Sequence, residues 1–217
     1  MQAPVAHKIL GETCWLSAHR SLFWEGQNIL VLSDMHLGKT GHFRKAGIAV
    51  PQAVLKEDMQ RLLHLLQYFK PQRLLVVGDM FHSRANNELQ FFTRWREQFG
   101  QVQFTLVRGN HDILANDWYA SAGIEVIESA LHIGKFTFTH DYCHSTDGYS
   151  FCGHIHPGVT VHGAGKQSLR FPCFYFGANH CILPAFGKFT GLATVHPQPG
   201  DAVYAVVEDS LVPIHHA

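Results

Sequence analysis

The sequence predicts an α/β fold in which two mixed β-sheets pack against each other. In the first half of the chain, apolar runs of strand length alternate with helical patterns, which predicts parallel strands joined by right-handed crossovers. After about residue 123 the pattern changes to short alternating strands with glycine turns, which predicts a second, mostly antiparallel or mixed sheet. The 217 residues, 46% of them hydrophobic, suffice for one large core. We therefore expect a single domain over residues 1–217.

Four predicted strands end directly before polar residues. Residues 28–32 run into Ser33-Asp34, 73–77 into Gly78-Asp79, 103–107 into Arg108-Gly109-Asn110, and 136–139 into His140. Parallel strands deliver the loops that follow them to one edge of a sheet, so these polar residues are expected to meet there. The glycines at positions 78 and 109 are predicted to allow tight turns.

Three helices are predicted from the spacing of apolar residues. The first runs from Pro51 to Phe69, because proline suits a first helical turn and apolar residues recur at helical spacing until Pro71. The second is predicted from about Glu88 to Phe99, and the third from about Ile113 to Ala122.

Composition limits the class of protein. The five cysteines form no Cys-x-x-Cys pair and are odd in number, which argues against a disulfide framework. No run reaches transmembrane length, and the amino terminus lacks a basic region followed by an apolar stretch. We therefore expect a soluble, cytoplasmic protein with no membrane association.

The charge balance is neutral, with 17 basic and 17 acidic side chains and a pI near 7.3. Proteins that bind DNA often have a basic excess, so the composition alone does not indicate nucleic acid. A local exception is the cationic stretch that contains His36, Lys39, His42, Arg44 and Lys45.

Five polar clusters contain the ligand types that a two-metal centre needs. They are Asp34-Met35-His36, Gly78-Asp79, Gly109-Asn110-His111-Asp112, His140 and Gly153-His154-Ile155-His156. Carboxylate, amide and imidazole groups without thiolate suit Mn²⁺, Fe²⁺ or Zn²⁺. Two such ions lie about 3.5–4 Å apart and need a bridging ligand, for which the carboxylate of Asp79 is our candidate. The clusters therefore predict hydrolysis of phosphate esters.

This order of clusters resembles the pattern of the calcineurin-like metallophosphoesterase superfamily, and the resemblance covers residues 33–156. It implies a four-layer α/β/β/α sandwich of two mixed sheets flanked by helices. It also implies two metal sites that share Asp79. Asp34, His36, Asp79 and His156 would hold one ion, and Asp79, Asn110, His140 and His154 the other.

Further segments are similar to the bacterial ligase-associated DNA damage response endonucleases. These segments are residues 33–39, 43–47, 78–84 and 183–191. Met35 and Met80 stand where leucine is commoner in that group, an apolar exchange that should leave the metal ligands untouched. The resemblance implies a DNA endonuclease or phosphodiesterase linked to DNA repair. It also implies Mn²⁺ as the metal and a functional association with a DNA ligase or helicase system.

In the implied reaction, two cations lower the pKa of a shared water, and the resulting hydroxide attacks phosphorus in line. We assign His111 to protonate the departing alkoxide and Asp112 to orient it. The alternatives are a hydrogen-bonding role for His111 and a helix cap at Asp112. Arg44 and Arg84 are predicted to bind phosphate oxygens, with surface salt bridges as the alternative. His82 is predicted to lie at the substrate or behind the ligands.

Other functions are considered beside the nuclease. A small-molecule enzyme would cleave a cyclic nucleotide or a pyrophosphate, although the lipid A pathway hydrolases of the superfamily usually have arginine at the position of His111. An inactive scaffold would have lost ligands, and none is lost here. The aromatic residues of 171–176, with Phe186 and Phe189, are expected to pack the second sheet, and a stacking surface for bases is the alternative.

Overall fold

The first β-sheet carries the parallel strands that the sequence predicts. The computed structural model describes residues 2–39, 53–82, 86–142, 148–163, 165 and 167–214. Within them, the first sheet has seven strands in chain order: β1 (Val5–Ile9), β2 (Glu12–Ser17), β3 (Ser21–Trp24), β4 (Ile29–Ser33), β5 (Arg73–Val77), β6 (Gln103–Val107) and β7 (Ile124–Ile127). The strands β1 to β4 pair antiparallel, and β4 to β7 pair parallel. The predicted strands at 73–77 and 103–107 are confirmed, and that at 28–32 is shifted by one residue.

The second sheet is mixed, as expected. Its described strands are β8 (Ala130–Ile133), β9 (Phe136–Thr139), β10 (Tyr149–Cys152), β11 (Pro157–His162), β12 (Ser168–Phe176), β13 (His180–Ile182), β14 (Ala193–Thr194), β15 (Ala202–Val207) and β16 (Ser210–Ile214). Their order is β14-β11-β12-β13-β10-β9-β8, with β15 beside β12 and β16 beside β15. The pairs β9–β10, β10–β13 and β11–β14 are parallel, and the other pairs are antiparallel.

Three α-helices have both ends within the described residues, and all three precede the second sheet. They are α1 (Ala53–Phe69), α2 (Asn86–Arg96), which continues as a 3₁₀ turn over Glu97–Phe99, and α3 (Asn116–Ser121). The first two agree with the predicted helices, although residues 51 and 52 lie outside the described residues. No helix in the described ranges has both the length and the apolar character needed to cross a membrane.

The third helix is shorter than predicted. It begins at Asn116 instead of Ile113, because the N–H of Ile113 bonds the carbonyl of His111 in a tight turn and Ala115 is extended. Apolar spacing suggested a helix from Ile113, yet the hydrogen bonds of the preceding turn keep residues 113–115 irregular.

Two apolar layers hold the sheets in place. Between the helices and the first sheet, Leu62 and Phe92 pack with strand residues such as Leu74. Between the two sheets, Val77 of β5 packs with Phe138 of β9, in a cluster of buried residues from both sheets. Burial of these side chains fixes both sheets relative to each other, and the loops that follow their strands are fixed with them.

The strand register aligns the ends of the strands that precede the predicted ligands. Ser33 pairs with Val77, and Val77 with Val107, so β4, β5 and β6 end side by side. In the second sheet Thr139 pairs with Cys152, so β9 and β10 also end together. Consequently, the residues that follow these strands emerge along adjoining edges of the two sheets.

Candidate active site

Two groups of ligand-type side chains meet at these strand ends. The first contains Asp34, His36 and His156, and the second contains Asp79, His140 and His154. Within each group, one ligand atom from every residue lies within 4.8 Å of the others. The groups draw on loops of both sheets, so neither would exist without the packing of the sheets.

The spacing of the nitrogens fits metal binding. Nε2 of His36 is 3.2 Å from Nε2 of His156, and Nδ1 of His154 is 3.0 Å from Nε2 of His140. Two nitrogens bound to one ion by bonds of about 2.0–2.1 Å are separated by roughly 3.0–3.4 Å at ordinary coordination angles. The residues present therefore fit two divalent ions in size and in donor type.

Asp79 lies between the two groups. Its Oδ2 is 3.8 Å from Nε2 of His36, and its Oδ1 is 3.6 Å from Nε2 of His140. The same Oδ1 accepts a hydrogen bond of 2.9 Å from the backbone N–H of His111. Each oxygen of this carboxylate therefore faces a different group, which is the orientation a bridging ligand requires.

Asn110 joins the second group. Its side-chain oxygen lies 2.9 Å from Nε2 of His140. All seven residues proposed as ligands from the sequence are thus brought into one place: Asp34, His36, Asp79, Asn110, His140, His154 and His156. His154 and Asn110 are exposed while Asp34 and Asp79 are buried, so the site opens to solvent on the side of the second group.

The backbone at these residues has uncommon dihedral angles. Among the described non-glycine residues, ten have positive φ, and five of those are predicted ligands: Asp34, His36, Asp79, His154 and His156. Non-glycine residues adopt this left-handed region at a cost, and such residues concentrate at functional sites where surrounding contacts hold them. The strained backbone at these residues directs ligand side chains from separate strands into the two groups.

Two glycines allow the ligands to approach the backbone. Gly78 has a φ of +76°, and a Cβ there would lie 1.7 Å from Nδ1 of His140. A Cβ on Gly109 would lie 2.2 Å from Oδ1 of Asp79. The tight turn predicted at Gly78 is confirmed. At Gly109 the φ is not positive, and the need for glycine comes from the closeness of Asp79.

A segment of the second half of the chain holds the Asp34 turn. The N–H of Phe186 donates to the carbonyl of Ser33 at 2.7 Å, and the N–H of Gly187 donates to that of Asp34 at 3.1 Å. The hydroxyl of Ser33 donates to the carbonyl of Pro184 at 3.1 Å. These bonds fix the turn that presents Asp34.

The buried residues Asp58 and Arg61, together with the half-buried Arg20, hold that segment in turn. Arg20 donates to two of its carbonyls at 3.2 Å, and Arg61 donates to the carbonyl of Phe186. Arg61 also pairs with Asp58 at 2.9 Å, with both side chains less than one-tenth exposed. Burial lowers the pKa of Arg61 to about 10, which leaves it charged at neutral pH. We call Arg20, Asp58 and Arg61 the arginine brace. Sequence reasoning missed it, since its members lie far from every ligand motif.

Burial also sets the protonation state of one predicted ligand. It lowers the pKa of His36 to about 2, and the charge of Lys39 and the nearby histidines act in the same direction. His36 is therefore neutral at physiological pH, which is the form that binds metals. Burial lowers the pKa of Lys39 as well, against the charges of Asp79 and Asp34, which raise it. Lys39 thus interacts electrostatically with a carboxylate of each group, where the sequence indicated only a basic stretch.

The rings of His111 and His82 contact each other at the rim, at a tilt of 40°. Their ring centroids are 4.4 Å apart, and His111 is exposed. Each ring also lies within 5.6 Å of the ring of His36. His111 is therefore accessible to a substrate that reaches the two groups, and His82 supports its ring.

Asp112 faces the protein interior. Its carboxylate accepts backbone hydrogen bonds of 3.0 Å from Met80 and Phe81 and 2.9 Å from Gly109. Burial is the main reason that its pKa rises to about 6. The helix-cap alternative is wrong, because α3 begins after Ala115 without a side-chain cap. Asp112 ties the segment after β5 to the segment after β6, and its action on His111 stays a prediction.

Two predicted substrate contacts, Arg44 and Arg84, lie outside the described residues. The aromatic prediction is tested in part. Phe174, Phe176 and Phe186 are buried, as packing residues should be, whereas Phe189 is 43% exposed.

Comparison with known proteins identifies the family. The model of the calcineurin-like phosphoesterase family matches residues 27–190. The chain belongs to the calcineurin-like phosphoesterases. No curated protein matches it. Among solved structures, the phosphoesterase is similar to the nuclease MPE of Pseudomonas putida, with 28% sequence identity and a TM-score of 0.84 over 97% of this chain and 100% of that one. A further match is YfcE, a phosphoesterase from E. coli, at 14% identity and a TM-score of 0.44 over 86% of this chain and 97% of that one.

Family membership and the two groups together define the class of enzyme. The protein is a metal-dependent phosphoesterase, with two candidate metal-binding groups as the dinuclear family requires. The fold class expected from the sequence, two mixed sheets with flanking helices, is confirmed.

Proposed function

We propose that this phosphoesterase is a nuclease that hydrolyses phosphodiester bonds of DNA, with a link to DNA repair. The observation that carries the proposal is the position of Asp79, which turns one carboxylate oxygen toward each group of ligands. The structural likeness to a nuclease, which extends over 97% of the chain, supports a phosphodiester of nucleic acid as substrate. The DNA-repair link rests on the sequence resemblance described above.

The seven ligands would hold two ions, with Mn²⁺ as our proposal for the metal. Asp34, His36 and His156 would bind one ion, and Asn110, His140 and His154 the other, with Asp79 between them. When bound, such ions supply a nucleophile from water at neutral pH and neutralise charge on the phosphate.

Side chains at the rim of the site would protonate the leaving group and help to bind the phosphate. His111 is exposed, so its imidazole N–H can donate to the oxygen of the leaving group. The ring of His82, whose centroid is 4.4 Å from that of His111, keeps that imidazole in place. Lys39, beside Asp34 and Asp79, adds positive charge where the phosphate would bind.

Replacement of Asp79 tests the ligand scheme. Asp79→Asn keeps the size of the side chain but removes its negative charge, so hydrolysis of bis(p-nitrophenyl) phosphate in Mn²⁺ should fall by roughly 100-fold or more. The matched control is Asp209→Asn, since Asp209 is exposed and distant from the ligand motifs. Full activity of Asp79→Asn, with circular dichroism equal to that of wild type, would refute the scheme.

A substrate panel tests the nuclease assignment. Manganese-loaded protein should cleave single-stranded or duplex DNA, and cyclic nucleotides should be poor substrates. Cleavage of cyclic nucleotides or pyrophosphates alone would reject the nuclease and favour the small-molecule alternative.

A further inference from the structure

A groove with one cationic side chain leads away from the candidate active site. Its volume is about 810 Å³, and it lies between α2 and residues 113–121. Leu89 of α2 faces Ile113, Leu114 and Trp118 across it, and Arg94 lies along it. This volume falls in the range of about 300–1,000 Å³ that is typical of sites for small organic groups.

The groove begins beside His111. The N–H of Ile113 bonds the carbonyl of His111 at 2.9 Å, and two residues of chain span at most about 7 Å. The same wall is also tied to the site farther along, because the ring of Trp118 packs edge-on against Phe81 at 5.1 Å, next to His82. The wall formed by residues 113–121 is therefore connected to the catalytic rim at both Ile113 and Trp118.

Apolar side chains form the larger part of the groove surface. Ile113 is 53% exposed, although it is a large aliphatic side chain immediately after the buried Asp112. Trp118 is partly buried and contributes an aromatic ring. Exposed apolar side chains at the rim of an active site favour a ligand with a flat, apolar part.

The charge of the residues that line the groove indicates which kind of ligand would bind there. Arg94 is the only charged residue among the described residues that line the groove, and no described carboxylate forms an ion pair with it. The second large cavity, of about 510 Å³, differs because it has residues of both signs (Arg20, Arg61, Lys188, Glu57, Glu208 and Asp209). An apolar groove with one cation and no anion is complementary to a nucleotide, whose base is apolar on its faces and whose phosphate is anionic.

We propose that this groove binds a nucleotide next to the scissile phosphate, with its base against Ile113 and Trp118 and its flanking phosphate on Arg94. The proposal rests on the nuclease function and names the part of the substrate that the groove recognises. A base can enter only when it is unpaired, because the faces of a paired base are covered by its stacked neighbours.

The experiment compares substrates that have the same charge but differ in bases. One is a short single-stranded oligothymidylate, and the other is an oligomer of equal length made of abasic residues. Manganese-loaded wild type should cleave the first with a kcat/KM roughly ten-fold higher, the gain expected from stacking of a single base. Ile113→Asn should bring this ratio close to one.

Arg94→Gln should act on both oligomers alike. It should raise KM for each and reduce the dependence of log KM on log salt concentration by about one unit, as loss of a phosphate contact does. The matched control is Arg73→Gln, because Arg73 lies at the amino end of β5, where its side chain bonds Gln103. That control should leave the ratio and the salt dependence as in wild type, and melting curves check the fold of every variant.

The outcomes separate two failures. If wild type cleaves bis(p-nitrophenyl) phosphate but neither the oligomers nor duplex DNA, the nuclease function fails and the nucleotide groove fails with it. If wild type cleaves duplex DNA but neither oligomer, or both oligomers equally well, or if Ile113→Asn leaves a ten-fold ratio intact, the nuclease stands and the groove proposal alone is overturned.

Discussion

Nε2 of His36 lies 3.2 Å from Nε2 of His156, although 120 positions separate the two residues in the chain. His36 follows a strand of the first sheet and His156 follows one of the second. Two imidazoles whose nitrogens face each other this closely, with the carboxylate of Asp34 3.6 Å from His156, form a set that an ion would complete.

Loss of His156 should therefore weaken metal binding without unfolding the protein. His156→Ala removes one ligand, so affinity for Mn²⁺ should drop by about 10-fold to 100-fold, a loss typical of damage to a metal site. Isothermal titration of metal-free protein with Mn²⁺ measures this directly. His64→Ala is the control, since His64 is an exposed residue of α1. Equal Mn²⁺ affinity in both variants would remove His156 from the ligand set.

The arginine brace should affect both stability and the Asp34 turn. Arg61→Met leaves the carboxylate of Asp58 buried and unpaired, which should lower the free energy of unfolding by about 3–5 kcal/mol. It also releases the carbonyl of Phe186, whose N–H bonds the residue before Asp34. Mn²⁺ affinity should consequently fall as well, and urea unfolding and metal titration measure the two effects.

A double variant separates these effects. Asp58→Asn with Arg61→Met removes both buried charges, so much of the stability should return while Mn²⁺ affinity stays low. Recovery of full metal affinity in the double variant would show that the brace contributes stability alone.

Asp112 should prove to be a structural anchor. Asp112→Asn keeps the shape of the side chain, but its amide nitrogen cannot accept a hydrogen bond. Met80 and Phe81 donate to one carboxylate oxygen and Gly109 to the other, so at least one of these backbone N–H groups loses its acceptor whichever way the amide turns. Leaving a buried N–H without an acceptor costs about 1–3 kcal/mol, so the free energy of unfolding should fall by at least about 1 kcal/mol. Urea titration of metal-free protein measures the change, and a loss under about 0.5 kcal/mol, the level of a surface substitution, would contradict the assignment.

The four described cysteines should be chemically inert in the folded protein. Cys14, Cys152, Cys173 and Cys181 are all buried. Burial raises the pKa of Cys14 and of Cys173 to about 12, so both thiols stay protonated at pH 8 and thiolate forms only well above that pH. Because Cys143 lies outside the described residues, the experiment uses Cys143→Ser. A thiol-disulfide reagent at pH 8 should then detect no thiol before unfolding and four afterwards, and rapid reaction of native protein would contradict the prediction.

The sequence predicted the parallel half of the fold better than the strands before it. Residues 73–77 and 103–107 are continuous apolar runs because both faces of their sheet are covered, and such runs are conspicuous. By contrast, β1 to β3 escaped prediction. In β1 the exposed and half-buried positions include Val5, His7 and Lys8, so the apolar alternation there is weak.

What the sequence by itself determined is the chemistry of the site, since the residue types at 34, 36, 79, 110, 140, 154 and 156 already specify oxygen and nitrogen ligands. The tertiary structure decided how closely the two expected sets of ligands approach each other, because packing of one sheet on the other sets the distance between residues such as His36 and His156. The tertiary structure also determined that the arginine brace and the groove at Ile113 form. These depend on contacts between segments remote in sequence, such as Arg20 with residues 184–188, and no local pattern of residues encodes such a contact.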